Sequence, residues 1–142
     1  VQAALAHPSL TQTGIILVHD AVRPLSSPEL WERVAVSTRE KLAVVPVIPI
    51  ADTLKSVDDQ GRVRGTVDRS TLFRVQTPQG FASSLLRQAY ADAEAGGRVG
   101  TDCASLVELM GSPVHTVPGE ETNFKVTTPY DLDVAAFILQ KL

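Results

Sequence analysis

Residues 16–25, ILVHDAVRPL, decide the fold because an apolar run leads directly into charged residues and a proline. Residues 14–19 are nearly continuous in apolar side chains, which is typical of a strand buried on both faces of a parallel sheet. Asp20 follows at the carboxyl end of this strand, and Arg23 lies three positions further on. Ligands of open α/β sheets bind at the carboxyl ends of strands. The stretch therefore predicts a buried strand that ends at a binding edge.

The composition is that of an ordinary globular domain. The chain has 142 residues, of which 44% are hydrophobic and 20% charged, and its formal net charge is −3. This length supports one domain with a substantial core. The acidic balance gives no reason to expect nucleic-acid binding, which normally requires a basic excess. No apolar run reaches the ~20 residues of a membrane span. The single cysteine excludes an internal disulfide framework and favours a cytoplasmic protein.

Strand and helix patterns alternate along the chain. Helices are predicted over residues 1–6, from Pro28 to about Lys41, over 82–95 and 102–110, and from Pro129 onward. Further strands are predicted over 43–48, 114–118 and 124–126, with an extended segment over 74–81. Strands that alternate with helices indicate an α/β domain with a mainly parallel sheet.

Residues 51–69 depart from this plan because they have many charges and few apolar side chains. Polar and apolar residues alternate over 53–57, residues 58–61 (DDQG) are a turn signal, and 63–67 carry the return. Such a hairpin lacks the apolar residues to bury itself in a core of its own. We therefore expect it to project from the domain as an arm.

Two residues after the first strand are candidates for a functional site. Asp20 could hold Mg²⁺ through its carboxylate oxygens, and Arg23 could face a phosphate with its forked guanidinium. The alternative is that Asp20 caps the next turn and Arg23 is solvated. Taken alone, the pair favours this alternative, since both residue types are common in loops.

Three later residues are open to the same two interpretations. Thr77, in QTPQ at 76–79, suits a substrate-lining loop or an ordinary turn around a proline. Arg69 follows the hairpin at its base, where it could meet an anion or solvate an exposed edge. Lys125 is predicted on a short strand, facing away from its two apolar neighbours. It is either a surface residue or an anion contact.

Other residues that often carry chemistry are assigned to structure. His19 and His115 lack metal-ligand spacing, and Cys103 is interpreted as a small core residue. The chain has no Gly-rich phosphate loop of either standard kind. It begins within a helical pattern and without an initiator Met, so we expect it to be a piece of a longer protein.

Six motifs in series are more specific than any one of them. VHDAVRP, DTLK, TVDR, QTPQGF, TDCASLVE and NFKVTTPYDL follow one another along the chain. In this order they resemble the carboxyl-terminal part of the 2-C-methyl-D-erythritol 4-phosphate cytidylyltransferase family, over nearly the whole chain. The resemblance implies a doubly wound α/β fold of the nucleotide-diphospho-sugar transferase type, incomplete here, with a protruding β-arm at about 51–69. Residues 1–142 would then be the carboxyl-terminal part of one cytidylyltransferase domain.

The resemblance also implies a reaction and a set of site residues. The family transfers a cytidylyl group from CTP to methylerythritol phosphate and releases pyrophosphate, with Mg²⁺, in non-mevalonate isoprenoid precursor biosynthesis. Asp20 corresponds to the family's acid near the metal and substrate. In the family, Thr53 and Arg69 act from the arm on the site of a second subunit, which implies a homodimer. The positions that hold methylerythritol phosphate fall on Arg23, Thr53, Arg69, Thr77 and Lys125.

The chain departs from the family pattern in two respects. The family binds CTP chiefly with an amino-terminal segment that is not in this sequence, so we expect residues 1–142 alone to be inactive. The family's acid before the NxKVT strand has no clear equivalent, and Glu121 is a candidate for the second metal ligand. Two alternatives stay open: a ribitol-5-phosphate cytidylyltransferase, which shares HDAVRP and KVTTPYDL, and a non-catalytic dimerisation fragment.

Overall fold

The computed structural model describes residues 1–10 and 13–141, and its helices lie close to the predicted helical ranges. The helices are α1 Gln2–Leu5, α2 Pro28–Lys41, α3 Ser83–Ala95, α4 Cys103–Leu109 and α5 Pro129–Leu139, with a short 3₁₀ turn at Pro8–Leu10. The strands are β1 Ile15–Val18, β2 Ala43–Pro49, β3 Leu54–Val57, β4 Val63–Val67, β5 Phe73–Val75, β6 Gln79–Ala82 and β7 His115–Pro118. Within the described ranges, none of the helices has the length and apolar character of a membrane span.

A mixed sheet forms the centre of the α/β fold. Its order is β1-β6-β2-β5, and β7 lies on the other edge of β2. β7 runs parallel to β2, whereas β6 is antiparallel to both β1 and β2, and β5 is antiparallel to β2. Thus β1, β2 and β7 share one direction, but three of the four pairings described in this sheet are antiparallel.

The pairing of β1 corrects one expectation. Its apolar run predicts a fully buried strand with parallel neighbours, but its described partner is the antiparallel β6, and all four β1 residues are half-buried. The physical reason is the position of β6, which lies between two strands of common direction and fills the space that a parallel strand would occupy. The apolar pattern of β1 therefore predicts a strand in the sheet correctly, but the strand is less buried than expected and its described partner is antiparallel.

Helices cover both faces of the sheet, as the doubly wound arrangement requires. On one face, Leu30 and Val34 of α2 pack against Val44 and Val117. On the other, residues of α3 and α4 pack against the opposite side of β2 and β6; the buried members include Ala43, Val45, Phe81, Leu86, Ala89, Leu106 and Val107. Each fully buried leucine or phenylalanine contributes about 1.5–3 kcal/mol relative to exposure. Two separate hydrophobic clusters thus hold the sheet between its helices.

Local signals in the sequence set the helix starts. Ser27 accepts a hydrogen bond from the backbone N–H of Leu30, and Pro28 occupies the first helical position of α2. Asp102 caps α4, and Thr128 caps α5 in reciprocal boxes with residues three positions later. The predicted strand over 124–126 is wrong, because this segment is irregular and has a single backbone hydrogen bond from Val126 N–H to the carbonyl of Val22.

The arm forms a two-stranded sheet of its own. β3 and β4 pair antiparallel over residues 54–57 and 63–67, as the hairpin prediction has it. Asp58 closes the turn: its carboxylate accepts the backbone N–H groups of Gln60 and Arg62, and Gly61 takes a φ of +78°. The Arg62 N–H in particular lowers the pKa of the Asp58 carboxyl. Most arm side chains are exposed, as expected for a projecting segment.

Candidate functional site

The register between β1 and β6 brings Asp20 beside Thr77. Val18 is opposite Gln79, so the chain continues with the residues after β1 facing those before β6. The backbone N–H of Asp20 donates to the Thr77 hydroxyl oxygen at 3.0 Å. The antiparallel pairing that the sequence did not predict is therefore the feature that joins two of its candidate residues.

Arg23 and Lys125 converge on the Asp20 carboxylate. Arg23 Nε lies 3.3 Å and Lys125 Nζ 3.4 Å from the same oxygen, Oδ2. The Arg23 side chain is only 11% exposed, whereas that of Lys125 is 49% exposed. Two cations against one carboxylate leave this corner with a net positive charge, which favours anions. Arg23 is the fixed cation of the pair, and Lys125 is the accessible one.

A buried amide pair fixes the loops that carry these residues. Asn123 is fully buried, and its side-chain amide donates to the carbonyl of Thr77 at 2.8 Å. Its own backbone carbonyl accepts from Arg23 Nη1 at 2.9 Å and from Gln76 Nε2 at 3.2 Å. Gln76 also exchanges two hydrogen bonds with the backbone of Glu120. Three loops that are distant in sequence are thus joined around one buried asparagine.

The half-buried ring of His19 contacts the same loops from the other side. Its Nδ1 lies 2.9 Å from the Thr77 hydroxyl oxygen, and its Nε2 lies 3.1 Å from the carbonyl oxygen of Arg23. The ring packs against Trp31 of α2, with 4.9 Å between ring centroids. Among the described residues it belongs to no group of three or more histidine, cysteine, aspartate or glutamate side chains that could hold a metal ion.

These side chains open onto a cleft of about 430 Å³. Its lining includes Asp20, Arg23, Thr77 and Lys125. The segment before α4 and neighbouring side chains also line it, among them Gln79, Tyr90, Gly100, Thr101, Asp102 and Cys103. The amide of Gln79 donates to Asp102 at 2.7 Å and accepts the N–H of Ala104, so the start of α4 is fixed to β6.

The Tyr90 and Cys103 side chains that line the cleft are neutral at physiological pH, because the pKa of each is raised. Burial raises the pKa of the Tyr90 hydroxyl, and its hydrogen bond with Cys103 adds to the rise. Burial also raises the pKa of the Cys103 thiol, whose sulfur lies 3.4 Å from the Tyr90 oxygen. Cys103 is buried in the core cluster, as the sequence predicts. Asp102 is therefore the charged side chain of this part of the lining, and the cations of the cleft lie beside Asp20.

Thr53 and Arg69 are not brought into this cleft. Thr53 is exposed just before β3, and Arg69 is exposed after β4, where its Nη1 donates to the carbonyl of Ile50 at 2.9 Å. Neither residue lines the cleft. Both lie at the base of the arm, so the single chain gathers Asp20, Arg23, Thr77 and Lys125 but leaves the two arm residues elsewhere.

Comparison with known proteins gives this arrangement a family. The family model described as IspD, 2-C-methyl-D-erythritol 4-phosphate cytidylyltransferase, matches residues 1–141. The chain belongs to this family. It is 50% identical over 143 residues to the 2-C-methyl-D-erythritol 4-phosphate cytidylyltransferase of Nocardia farcinica, with 99% of this chain and 59% of that protein covered. It is 50% identical over 127 residues to that of Rhodococcus opacus, with 89% and 55% covered.

Solved cytidylyltransferase structures share the fold. The crystal structure of 2-C-methyl-D-erythritol 4-phosphate cytidylyltransferase from Thermus thermophilus superposes with a TM-score of 0.88 at 38% identity, covering 98% of this chain and 67% of that one. The 4-diphosphocytidyl-2C-methyl-D-erythritol synthase from Anaerococcus prevotii gives 0.86 at 33% identity, covering 98% and 62%. The chain spans somewhat more than half the length of the curated relatives it matches.

Residues that stabilise the cleft are harder to predict than those that line it. Asn123 and Gln76 lie within quoted motifs, but an amide in a loop carries no signal that it is buried. The sequence assigns His19 to structure because it lacks metal-ligand spacing, although it contacts two candidate residues. A usable signal for all three is their proximity in sequence to a candidate: His19 precedes Asp20, Gln76 precedes Thr77, and Asn123 lies two positions before Lys125.

The donor set for a metal ion is small. In the described part of the chain no group of three or more histidine, cysteine, aspartate or glutamate side chains could hold a metal ion. Mg²⁺ at nucleotide sites needs only one or two protein carboxylates, because substrate phosphates and waters supply the other ligands. Asp20, with a 35% exposed side chain on the cleft, is compatible with that chemistry. Glu121 pairs instead with Arg74 at 3.1 Å on the surface.

Proposed function

We propose that the protein containing this chain transfers the cytidylyl group of CTP to 2-C-methyl-D-erythritol 4-phosphate and releases pyrophosphate, in non-mevalonate isoprenoid precursor biosynthesis. The observation that carries this proposal is the convergence of Arg23, Lys125 and the Thr77 hydroxyl around Asp20, in a chain of this family. Because the chain spans part of its relatives' length, residues 1–142 supply the polyol-phosphate side of the site in this proposal, and we expect them to be inactive alone.

The charges of the cleft suit a phosphate monoester. Such a group is a dianion that prefers several charge-assisted donors. Arg23 is already held in place by Asn123 and Asp20, so little side-chain entropy is lost when it binds an anion. Lys125 is half exposed and shares its carboxylate with Arg23, so it can turn toward an incoming phosphate. Thr77 adds a hydroxyl at the same corner.

The reaction needs positioning rather than a protein nucleophile. An oxygen of the substrate phosphate attacks the α-phosphorus of CTP, a P–O bond forms, and the bond from the α-phosphorus to the bridging oxygen breaks as pyrophosphate leaves. Arg23 and Lys125 hold the attacking phosphate and offset charge that develops in the transition state. Asp20 is the residue that would hold Mg²⁺. When bound, this ion would neutralise phosphate charge and align the two reacting groups.

The arm residues fit the proposal through a homodimer. Thr53 and Arg69 lie outside the cleft of their own chain, and the arm carries exposed valines at 57, 63 and 67. Exposed apolar residues on a projecting hairpin favour contact with another surface. In the dimer, each arm would place Thr53 and Arg69 at the partner's cleft. A cytoplasmic location agrees with the single buried cysteine.

Substrate kinetics on the full-length gene product test the function. Pyrophosphate release is measured with CTP and either methylerythritol phosphate or ribitol 5-phosphate, in parallel with residues 1–142 alone. We expect turnover of methylerythritol phosphate by the full-length protein. A preference for ribitol 5-phosphate would contradict the proposed substrate in favour of that polyol phosphate. If neither polyol phosphate is turned over, the alternative of a non-catalytic dimerisation fragment is favoured.

Lys125→Met tests the proposed phosphate contact, with Lys41→Met on the exposed end of α2 as the matched control. Loss of the charged donor should raise KM for methylerythritol phosphate by about tenfold or more, whereas KM for CTP should change by less than about twofold. The control should match the unmodified protein. Equal effects of the two substitutions would contradict a phosphate contact by Lys125.

Arg69→Ala tests whether the arm of one subunit acts on the cleft of its partner. Mixed dimers are made from one subunit with Arg69→Ala and one with Lys125→Met. If the arm acts on the partner's cleft, one of the two clefts contains neither substitution, and mixing should restore part of the activity. A monomer in sedimentation, or mixtures no more active than the separate variants, would exclude this use of the arm.

A further inference from the structure

His19 occupies an unusual place between two of the proposed phosphate contacts. Its two ring nitrogens contact different loops: Nδ1 meets the Thr77 hydroxyl at 2.9 Å, and Nε2 meets the backbone carbonyl of Arg23 at 3.1 Å. The ring is half-buried and packs against Trp31, which limits its rotation. His19 does not line the cleft next to Asp20, so it acts on any substrate through its neighbours.

Hydrogen-bond chemistry fixes the proton positions of this contact in the neutral ring. A carbonyl oxygen can only accept, so Nε2 must carry the proton in its bond to Arg23. Nδ1 of the same neutral ring is then an acceptor, and the Thr77 hydroxyl must donate to it. The Thr77 oxygen also accepts the N–H of Asp20. The hydroxyl is therefore held in one rotamer by a donor on one side and an acceptor on the other.

We propose that His19 is a positioning residue that joins the Thr77 loop to the Arg23 loop and thereby fixes the corner that receives the phosphate of the polyol substrate. The proposal rests on the function proposed above and adds a residue to it. Without the Nδ1 acceptor, the hydroxyl loses one of its two fixed partners and can rotate about its C–O bond. Without the Nε2 donor, the carbonyl of Arg23 loses a hydrogen bond near a residue that holds the same phosphate. Substrate binding should suffer before catalysis does.

A double-mutant cycle on the full-length gene product tests this proposal. His19→Phe keeps a ring against Trp31 but removes both hydrogen bonds, and Thr77→Val removes the hydroxyl while it keeps the branched shape. Each single substitution should raise KM for methylerythritol phosphate by about tenfold. KM for CTP should change by less than about twofold, and kcat should fall less than kcat/KM. If His19 acts through Thr77, the double variant should be little worse than Thr77→Val alone.

Two further variants separate positioning from folding. His19→Asn retains an acceptor at the position of Nδ1 and should recover part of the KM lost in His19→Phe. His115→Asn, on the exposed face of β7, is the matched histidine control and should leave all constants unchanged. Additive effects of His19→Phe and Thr77→Val, or equal increases in KM for both substrates, would overturn the proposal.

An activity-free measurement keeps the inference separate from the proposed function. ¹⁵N spectra of the imidazole rings, with the His19 signals assigned through His19→Asn, should show the neutral ring protonated at Nε2. Thr77→Val should shift the Nδ1 signal. Protonation of the neutral ring at Nδ1 would overturn the inference even if the full-length protein turns over methylerythritol phosphate. The expected spectra from a protein without that activity would support the contact and reject only the function.

Discussion

The cleft and the arm are held together in opposite ways. At the cleft, hydrogen bonds join Asp20 to Thr77 across 57 positions and Arg23 to Asn123 across 100. In the arm, Lys55 bonds to Thr66 eleven positions away, and the turn is closed within four residues of Asp58. The cleft therefore depends on the packing of the whole domain, whereas the arm depends on strand pairing and turn chemistry. Perturbations of the domain interior should affect the cleft strongly and the arm little.

Substitution of one glycine in the domain interior and one in the arm should give the largest difference in the free energy of unfolding. A Cβ at Gly80 would overlap Thr38 Oγ1 and lie 2.9 Å from Val34 Cγ1, both on α2, whereas one at Gly65 in the arm meets nothing within 4 Å. Thr38 is fully buried and donates to the carbonyl of Val34, so it cannot move aside freely. Gly80→Ala should lower the free energy of unfolding by about 3 kcal/mol through overpacking, and Gly65→Ala should change it by less than about 0.5 kcal/mol. Urea denaturation of the two variants measures the difference; similar values would contradict it.

A substitution at Asn123 tests whether its buried side-chain hydrogen bond to the Thr77 carbonyl stabilises the fold. Its Nδ2 donates to the Thr77 carbonyl, while its Oδ1 is buried without a described partner. Asn123→Leu keeps the volume but leaves that carbonyl unsatisfied, which should cost about 1–3 kcal/mol of unfolding free energy. The amide signals of the arm should not change. A neutral result in urea denaturation would mean that Asn123 only fills space.

Acid should loosen the turn of the arm through Asp58. Because hydrogen bonds lower the pKa of this carboxyl in the folded hairpin, it stabilises the turn above the unfolded pKa of about 3.9, and the contribution is lost as pH falls through the lower folded value. In an NMR titration, the Gln60 and Arg62 amide signals should shift below that pH. Asp58→Asn should abolish the titration. A midpoint at or above the unfolded pKa would contradict the assignment.

The same contrast explains what could be predicted from the sequence. The starts of α2, α4 and α5 and the DDQG turn depend on residues close in sequence, so the pattern alone predicted them to within about one residue. The antiparallel position of β6 and the irregular segment around Lys125 depend on tertiary packing. The sequence did not predict the β6 partner of β1, and the strand predicted at 124–126 was wrong. Of the candidate site, the charged residues were predictable because their chemistry is distinctive.

The residues that hold the site were not predictable for the same physical reason. Asn123 and Gln76 are ordinary loop amides until burial makes their hydrogen bonds obligatory. The two roles of His19 follow from neighbours 4 and 58 positions away, which no local spacing encodes. The roles of Thr53 and Arg69 require a second subunit and stay predictions.

The long sequence separations at the cleft also order its assembly during synthesis. The hairpin is complete in sequence at Val67, and a hairpin can close in about 1–10 μs. Translation of the 58 residues from there to Lys125 takes roughly 3–12 s at ~5–20 residues per second. The cationic corner of Arg23 and Lys125 cannot form before that segment leaves the ribosome. The valines of the arm are therefore exposed for seconds before this corner forms. The charged residues along the hairpin should therefore limit aggregation of the exposed valines before the cationic corner has formed.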